Sequence, residues 1–316
     1  MTAGRHAAEG VDPPPVAVLL STWNGGRFLD EQLASLLTQT HAGWTLHWRD
    51  DGSEDGTVAA MERFIAGPGA GICLDLRDNR GRLGPRESFM RLLRATPRTM
   101  SVAFADQDDV WLPGKLARGV AALATVPADV PALYCARQYL VDEQLMPLKC
   151  SPRLRRPPGF PASLTQNIAT GCTVMLNPAA ASLVAGSEAP PGSLHDWWCY
   201  LVITAAGGRV LADDTPTVLY RQHGSNAVGA PHSMPRRAYA ALRRGPRDFM
   251  GVFRAHVSAL RAQPGLLSAE ARETLDRIDA ALRQGQLARL RALGLAGMWR
   301  QTWLETALFR WWFLVG

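Results

Sequence analysis

The sequence lacks several features that would place the chain in a common class. Its five cysteines form no CxxC pair, so neither a zinc ribbon nor a dithiol redox site is indicated. Widely spaced cysteines in odd number are typical of reduced thiols, which predicts a cytoplasmic protein. No run of about 18 apolar residues occurs, which excludes an ordinary membrane-spanning helix. Residues 1–15 also lack the apolar segment of a signal peptide.

Two nucleotide-binding motifs are absent as well. The glycine-bearing turn at residues 22–26 does not contain GxGxxG, so a dinucleotide fingerprint is not indicated. GxxxxGK followed by Ser or Thr occurs nowhere, which argues against a P-loop. A nucleotide, if one binds, must therefore be held by other groups.

The composition that is present is typical of a folded protein, with 47% hydrophobic and 20% charged residues. The net charge is +6, and arginines are concentrated in the second half. Such clusters suit anionic lipid headgroups, phosphorylated substrates or nucleic acid, although a solvated face is their usual explanation. The clustered residues are Arg153, Arg155, Arg156, Arg236, Arg237, Arg243, Arg244 and Arg247.

The first half alternates between strand and helix patterns. Residues 16–20 are a continuous aliphatic run, which is typical of a strand buried in a parallel sheet, and residues 45–49, 72–76 and 102–105 are further strand candidates. Between them, apolar residues recur at helical spacing, as at Leu29, Leu33, Leu36 and Leu37. This order predicts an α/β fold with a doubly wound parallel sheet.

Three polar turns follow three of these strands, at residues 22–26, 50–56 and 106–109. Ligands of such sheets bind outside the carboxyl ends of the strands, so we expect the turns to meet at one edge. Asp106, Asp108 and Asp109 would repel one another there unless a cation neutralises them. The third turn is therefore a candidate clamp for a metal and a diphosphate, the alternative being an acidic turn that caps a helix.

The second half is less regular. Residues 132–141 and 171–177 resemble strands, residues 194–201 begin an aromatic helix, and residues 210–212 form a candidate last strand. From about residue 234 onward the pattern is helical. The tryptophan-rich residues 303–315 are too short to span a membrane, and they fit either a membrane interface or an ordinary last helix packed on the domain.

Five sequence blocks, taken together and in order, resemble the inverting family-2 glycosyltransferases with the GT-A fold, especially the bacterial rhamnosyltransferase-like branch. The blocks are residues 18–25 (VLLSTWNG), 49–57 (RDDGSEDGT), 106–116 (DQDDVWLPGKL), 195–198 (HDWW) and 220–224 (YRQHG). The resemblance implies a Rossmann-like, mostly parallel sheet flanked by helices. It divides the chain into a flexible segment 1–15, a GT-A domain 16–229 and a helical C-terminal extension 230–316 that is a candidate for membrane association.

The resemblance also implies roles for individual residues at the donor side. Thr22 and Asn24 are expected at the nucleotide, and Asp51 is expected to accept the imide N–H of uracil or thymine, the one such donor that either base offers. Asp106 is expected at the ribose or diphosphate and as a metal ligand, and Asp108 as the principal ligand of Mg2+ or Mn2+. His223, with Arg221, is expected to close over the diphosphate, and His223 also to complete the metal shell.

On the acceptor side, Asp196 matches the carboxylate that deprotonates the acceptor hydroxyl. The family often has Glu before this aspartate, whereas His195 stands here, which leaves the role of that position open. Trp197 and Trp198 could stack on a sugar, but a tryptophan pair on a helix more often packs in the core.

The predicted reaction is sugar transfer, with rhamnose from dTDP-rhamnose as the first expectation and UDP-hexoses next. The expected acceptor is a glycan or lipid-linked glycan in surface polysaccharide synthesis, at the inner face of the membrane, with no nucleic acid partner. Two alternatives stand beside this function. One is a nucleotide-sugar binding protein without transferase activity; the other is a metal-dependent phosphohydrolase built on the 106–109 turn, whose position is late in the chain for that class.

Overall fold

A computed structural model describes residues 14–78, 81–224 and 234–316, with the backbone alone for residues 234–244. Within these ranges the chain forms a nine-stranded sheet flanked by helices. The strands are β1 Val16–Thr22, β2 Trp44–Asp50, β3 Cys73–Asp75, β4 Ser101–Ala105, β5 Val110–Trp111, β6 Ala132–Val141, β7 Pro147–Cys150, β8 Met175–Leu176 and β9 Arg209–Arg221. The helices are α1 Leu29–Leu37, α2 Thr57–Ala66, α3 Pro85–Ala95, α4 Lys115–Leu123, α5 Ala162–Thr165, α6 Pro178–Ala185, α7 His195–Ala205, α8 Met234–Arg261, α9 Ala269–Gln284, α10 Gln286–Ala292 and α11 Trp303–Val315.

The sheet has the order β3-β2-β1-β4-β8-β6-β9-β5, and β7 pairs with β6. Strands β1 to β4 are parallel, β6 and β9 are parallel, and β8 runs antiparallel between β4 and β6. The mostly parallel α/β sheet predicted from the sequence is confirmed. Because β1 lies between β2 and β4, the turns that follow these three strands meet at one edge of the sheet.

Strand β1 begins with five apolar residues because both faces of the sheet are covered there. In β1, Ala17 and Leu19 join one hydrophobic cluster, while Val16, Val18 and Leu20 join the cluster on the opposite face. Successive side chains of a strand alternate between faces, so a continuous apolar run is what a doubly covered strand requires.

Two predicted strands differ from the structure. Residues 171–177 contain a single 3₁₀ turn, Gly171–Thr173, before the two-residue strand β8. The predicted strand at residues 210–212 is the beginning of the thirteen-residue β9. Both differences have one cause, which is that long-range pairing with β6 decides how far these strands extend.

The C-terminal helices pack on the sheet domain and share its core. Met250 and Phe253 of α8, Leu275 of α9 and Phe309 of α11 are buried in the same cluster as Phe104 of β4. Helix α8 is interrupted at Gly245, which has a φ of 73° and precedes Pro246, a residue that cannot continue the hydrogen-bond ladder. The predicted boundary between residues 229 and 230 lies outside the described residues, as does most of the predicted flexible segment 1–15.

Candidate active site

The turns after β1, β2 and β4 are joined by side-chain hydrogen bonds. The Trp23 N–H donates to Gln107 Oε1 at 2.7 Å, and Gln107 Nε2 donates back to the Trp23 carbonyl at 3.0 Å. Asn24 Oδ1 accepts from the Glu54 N–H at 2.8 Å. A Cβ on Gly25 would lie 2.3 Å from Gln107, so this close approach requires glycine. The three turns therefore form one connected edge.

Two of the predicted nucleotide contacts, Thr22 and Asn24, take part in these connections. Thr22 is fully buried; its hydroxyl donates to Asp50 Oδ1 and accepts from Trp48 Nε1. Asn24 has a positive φ of 47° and is exposed at this edge of the sheet. In this structure Thr22 links β1 to β2, and Asn24 is the more accessible of the two.

Asp51, the predicted partner of the base, is buried at the end of β2 and accepts three hydrogen bonds. Arg49 Nη1 and the Leu83 N–H donate to Oδ1, and the Gly84 N–H donates to Oδ2, each at 2.7 Å. A carboxylate oxygen has two lone pairs, so Oδ2 retains one acceptor position for an imide N–H. The loop before α3 thus fixes the carboxylate and leaves one of its acceptor positions open.

The β4 turn brings two predicted metal ligands together. His223 Nε2 lies 2.8 Å from Asp108 Oδ2, and both side chains are largely buried. An imidazole nitrogen and a carboxylate oxygen are ligands that Mn2+ and Mg2+ accept, so this pair fits a divalent cation. Asp106 is near both Asp108 and Asp196, since the charges of both raise its pKa.

Burial, with the charges of Asp108 and Asp196, raises the pKa of Asp106 to about 7. Burial and the neighbouring carboxylates of Asp108 and Asp106 likewise raise the pKa of Asp109. The Asp109 Oδ1 atom accepts from the Arg221 N–H at 3.1 Å, while Oδ2 is buried without a hydrogen-bond partner among the described residues. These carboxyls have few donors around them, which is an arrangement that a cation stabilises.

A second possible metal cluster lies deeper, where ligand atoms of Asp106, Asp109 and Cys172 come within 4.8 Å of one another. Burial raises the pKa of the Cys172 thiol well above its usual value, which keeps the thiol protonated and unsuited to a hard cation. Lys115 is buried beside this cluster, with Nζ 3.5 Å from the centre of the Trp111 ring. Burial lowers the pKa of Lys115 to about 7, and its Nζ has no hydrogen-bond partner among the described residues. Because the protonated thiol of Cys172 does not suit a hard cation, the Asp108 and His223 pair is the better metal site.

Arg221, predicted at the diphosphate, is 1% exposed and contacts protein oxygens on several sides. Its Nε donates to the Asp108 carbonyl at 2.9 Å, and its other nitrogens donate to the Glu143 carbonyl and to Glu31. The guanidinium also lies over the Phe28 ring. In this structure Arg221 therefore holds the backbone of the metal turn in place.

Asp196 lies at the first turn of α7, where it is held by backbone donors. The Gly171 N–H donates to Oδ2 at 3.0 Å and the Trp197 N–H donates to Oδ1 at 2.6 Å, and the Asn167 side chain lies near enough to lower the pKa of Asp196. Burial raises the pKa of Asp196 to about 6, in spite of these donors. A carboxylate of this kind is ionised at neutral pH yet basic enough to accept a proton.

His195 does not enter the site. Its ring packs against Phe89 and Phe104, at centroid distances of 4.1 and 5.0 Å, and burial lowers its pKa to about 3. It is therefore a neutral core residue. Trp198 is also core, since it is fully buried and donates to Ser187 Oγ, whereas Trp197 is partly buried and donates to the Ser163 carbonyl.

Three residues that the motifs did not single out contribute to the site. Gln107 joins two turns, Lys115 is buried beside the inner acids, and Asn167 lies near Asp196. Gln107 and Lys115 lie within the 106–116 block, so their position in that block was the available signal. Asn167 lies in an irregular loop, and no pattern in the sequence points to it.

A sequence model of the family described as Glycosyl transferase family 2 matches residues 17–174. The dTDP-rhamnosyl transferase RfbG of Shigella flexneri is 27% identical over 226 residues, covering 67% of this chain and 74% of that protein. An uncharacterized glycosyltransferase of Nostoc sp. is 31% identical over 110 residues, covering 35% of this chain and 33% of that protein. The structure of S. aureus TarS 1–349 in complex with UDP-GlcNAc has a TM-score of 0.57 and 14% identity, covering 90% of this chain and 79% of that chain.

Proposed function

The chain belongs to glycosyl transferase family 2, and on that premise we propose that it moves a sugar from a dTDP- or UDP-linked donor to a hydroxyl of a glycan or lipid-linked glycan, with inversion. The predicted family and the GT-A fold are confirmed, and the chain is a glycosyltransferase that uses a nucleotide-sugar donor. The two alternatives, a binding protein without activity and a phosphohydrolase, do not agree with this membership.

The observation that carries the proposed mechanism is the position of Asp196. The charge of Asp196 contributes to the raised pKa of Asp106, which supports an acceptor side next to the donor side. At neutral pH the Asp196 carboxylate takes the proton of the acceptor hydroxyl as the oxygen bonds to the anomeric carbon. The bond from that carbon to the diphosphate breaks on the opposite face, and the nucleoside diphosphate leaves with the bonding electrons.

On the donor side, Asp51 accepts the imide N–H of the base, Asn24 lines the nucleotide side, and Asp106 faces the ribose and diphosphate. Thr22, predicted at the nucleotide, is buried and supports this edge by joining β1 to β2. Asp108 and His223 would hold Mg2+ or Mn2+, with Asp106 beside them, and the bound cation would neutralise charge on the departing diphosphate. Arg221 keeps this turn in position through the Asp108 carbonyl. Residues 16–229 would carry the transfer, and the extension 230–316 would support the acceptor side.

Rhamnose is the proposed sugar, and the support for it is the likeness to a dTDP-rhamnosyl transferase. We expect dTDP-rhamnose to give the fastest nucleoside diphosphate release in a panel of dTDP- and UDP-sugars. A role in surface polysaccharide synthesis, at the inner face of the membrane, follows from the same likeness as part of the proposal. If a UDP-hexose gives faster release, that hexose replaces rhamnose as the proposed sugar, and the proposed role of Asp196 as the base is unaffected.

The test of the mechanism is Asp196→Asn, which keeps the shape of the side chain and removes its basicity. We expect sugar transfer to fall by about 10² to 10⁴-fold. Donor binding, measured by calorimetry with Mn2+ present, should stay within a few-fold of wild type. Asp214→Asn, a change of an exposed acid, is the matched control and should leave transfer unchanged. Wild-type transfer by Asp196→Asn would show that another group is the base.

A further inference from the structure

A shallow groove of about 610 Å³ lies between the loop after β7 and helix α11, away from the turns of the active site. It combines two arginines with two tryptophans that are distant in sequence. The groove is lined by Arg156, Trp299, Trp303, Thr306, Ala307 and Arg310.

The groove is fixed by hydrogen bonds between its two walls. The Arg155 and Arg156 N–H groups both donate to Gln301 Oε1, at 2.8 and 3.1 Å, and Gln301 Nε2 donates to the Arg156 carbonyl at 3.1 Å. Arg156 Nη1 donates to Thr306 Oγ1 at 3.3 Å. The basic loop around residue 156 is therefore held against the start of α11, which the sequence alone does not reveal.

The cations of the groove are not neutralised by neighbouring acids. Neither Arg156 nor Arg310 forms an ion pair within the described ranges, whereas the nearby Arg153 lies 3.5 Å from Asp214. Residues 281–316 contain five arginines and one acid, Glu305, whose carboxylate is used in the capping box with Thr302. The groove thus lies on a surface with an excess of positive charge.

Large apolar side chains of α10 and α11 are exposed, and one of them, Trp303, lines the groove. Helix α11 buries Phe309 and Phe313 against the domain and leaves Trp303 and Trp311 69% and 51% exposed. The other exposed apolar side chains of these helices are Leu287, Leu290, Leu304 and Val315. Indole rings and aliphatic side chains beside arginines match the boundary between lipid headgroups and acyl chains.

We propose that this surface docks on an anionic phospholipid bilayer, with a lipid phosphate in the groove between Arg156 and Arg310 and with Trp303 and Trp311 inserted at the interface. Guanidinium groups bind phosphate oxygens by charge-assisted hydrogen bonds. A second copy of the chain fits less well, because a symmetric interface would place like charges opposite one another. Nucleic acid would satisfy the arginines but would leave the exposed leucines in water.

The groove is connected to the proposed catalytic base by one short segment. Thr165 Oγ1 donates to the Trp299 carbonyl at 2.6 Å, and the Gln301 N–H donates to Gln166 Oε1 at 2.9 Å. The next residue, Asn167, lies near Asp196 and lowers its pKa. If the proposed function holds, docking keeps Asp196 near the membrane surface, where a lipid-linked acceptor resides; the docking itself does not depend on that function.

The experiment is co-sedimentation of the full chain with vesicles of phosphatidylcholine alone or mixed with phosphatidylglycerol in equal parts. We expect salt-sensitive binding to the mixed vesicles only. Arg310→Gln, at an exposed position, should weaken it about five-fold, and Arg156→Gln combined with Arg310→Gln on the order of 10-fold or more. Trp303→Ala with Trp311→Ala should weaken binding to a similar degree. The matched controls Arg98→Gln, before the amino end of β4, and Met146→Ala should bind as wild type does.

Several outcomes would overturn the proposal. These are the absence of wild-type binding to mixed vesicles, equal binding by the groove variants, and a change from dimer to monomer on Trp303→Ala with Trp311→Ala in light scattering. Displacement from vesicles by single-stranded RNA, beyond the effect of salt at matched ionic strength, would favour nucleic acid instead. Nucleoside diphosphate release in solution should be the same for Arg310→Gln and wild type, so failure of docking is distinguishable from failure of the proposed function.

Discussion

The turn after β2 and the turn after β4 are both rich in acids, yet their carboxyl groups have opposite surroundings. Asp50 accepts from Thr22 Oγ1, from the Gly52 and Ser53 N–H groups and from Ser53 Oγ. In the same turn, burial works to raise the pKa of Asp55, but its hydrogen bonds from Thr57 and Gly26 outweigh it and lower the pKa. After β4, the Asp106 carboxyl receives no hydrogen bond from the described residues, and burial raises its pKa to about 7.

Between these two turns, the difference separates Asp50, whose carboxylate is used in structure, from Asp106, whose carboxyl is available to a cation. Carboxylates supplied with N–H and O–H donors are stable as anions and hold the β2 turn in shape. Carboxyls brought together without donors favour the protonated form until a cation arrives. The pattern of donors, rather than the number of acids, marks the β4 turn as the metal and diphosphate side.

The largest expected effect is on activity, at the β4 turn. Asp108→Asn removes a charged ligand from the proposed cation, so we expect turnover to fall by on the order of 10³-fold or more, because a metal contributes several kcal/mol to leaving-group stabilisation. Nucleoside diphosphate release with saturating Mn2+ measures this. The free energy of unfolding should change by less than about 1 kcal/mol. Full wild-type activity in excess EDTA would contradict the metal assignment.

The matched change in the β2 turn should act on stability instead. Asp50→Asn replaces an acceptor oxygen by an amide that cannot serve all four donors, so we expect the free energy of unfolding to fall by about 2 kcal/mol. Urea denaturation followed by circular dichroism measures this. Activity per folded molecule should remain within a few-fold of wild type. If Asp50→Asn is as stable as wild type, the contrast between the turns is wrong.

A third prediction concerns pH. Because burial raises the pKa of Asp196 to about 6, its basic form predominates above pH 6 and is lost below it. We therefore expect the logarithm of kcat/KM to be level above this pH and to fall with unit slope below it, about ten-fold for each pH unit. A rate profile from pH 4.5 to about pH 8 with Mn2+ present would show this. An acidic limb that persists in Asp196→Asn would assign it to another group.

The smallest expected effect is a thermal shift. Without metal, the raised pKa of Asp106 means that the folded state holds its proton more tightly than the unfolded chain, so its contribution to stability is lost as pH rises from about 4 toward 7. Mn2+ at about 100 times its Kd should restore about 2.7 kcal/mol, a few degrees in Tm. The shift should be larger at pH 8 than at pH 6, and Asp108→Asn should abolish it. An equal shift at both values would contradict the role of Asp106.

Much of the fold was predictable because it depends on local periodicity. The aliphatic runs at β1, β2 and β4 and the helical spacing of α1 to α3 alternate as a parallel sheet requires, and the motif blocks predicted the family. The short β8 and the long β9 were not predictable, since their lengths depend on pairing with β6. For residues 303–315 the sequence left open a membrane interface or a packed last helix. In the structure α11 buries one face against the domain and exposes the other. No described helix is long and apolar enough to cross a membrane.

The sequence by itself determined which residue types follow each strand, and so which chemistry is available at the edge of the sheet. Only the tertiary structure decided which acids have donors, that His195 packs on Phe89, and that the Gly171 and Trp197 N–H groups hold Asp196. It also brought Arg156 to Trp303. The ionisation of a side chain depends on its burial and on its hydrogen-bond and charge partners, and both are set by residues far away in the chain.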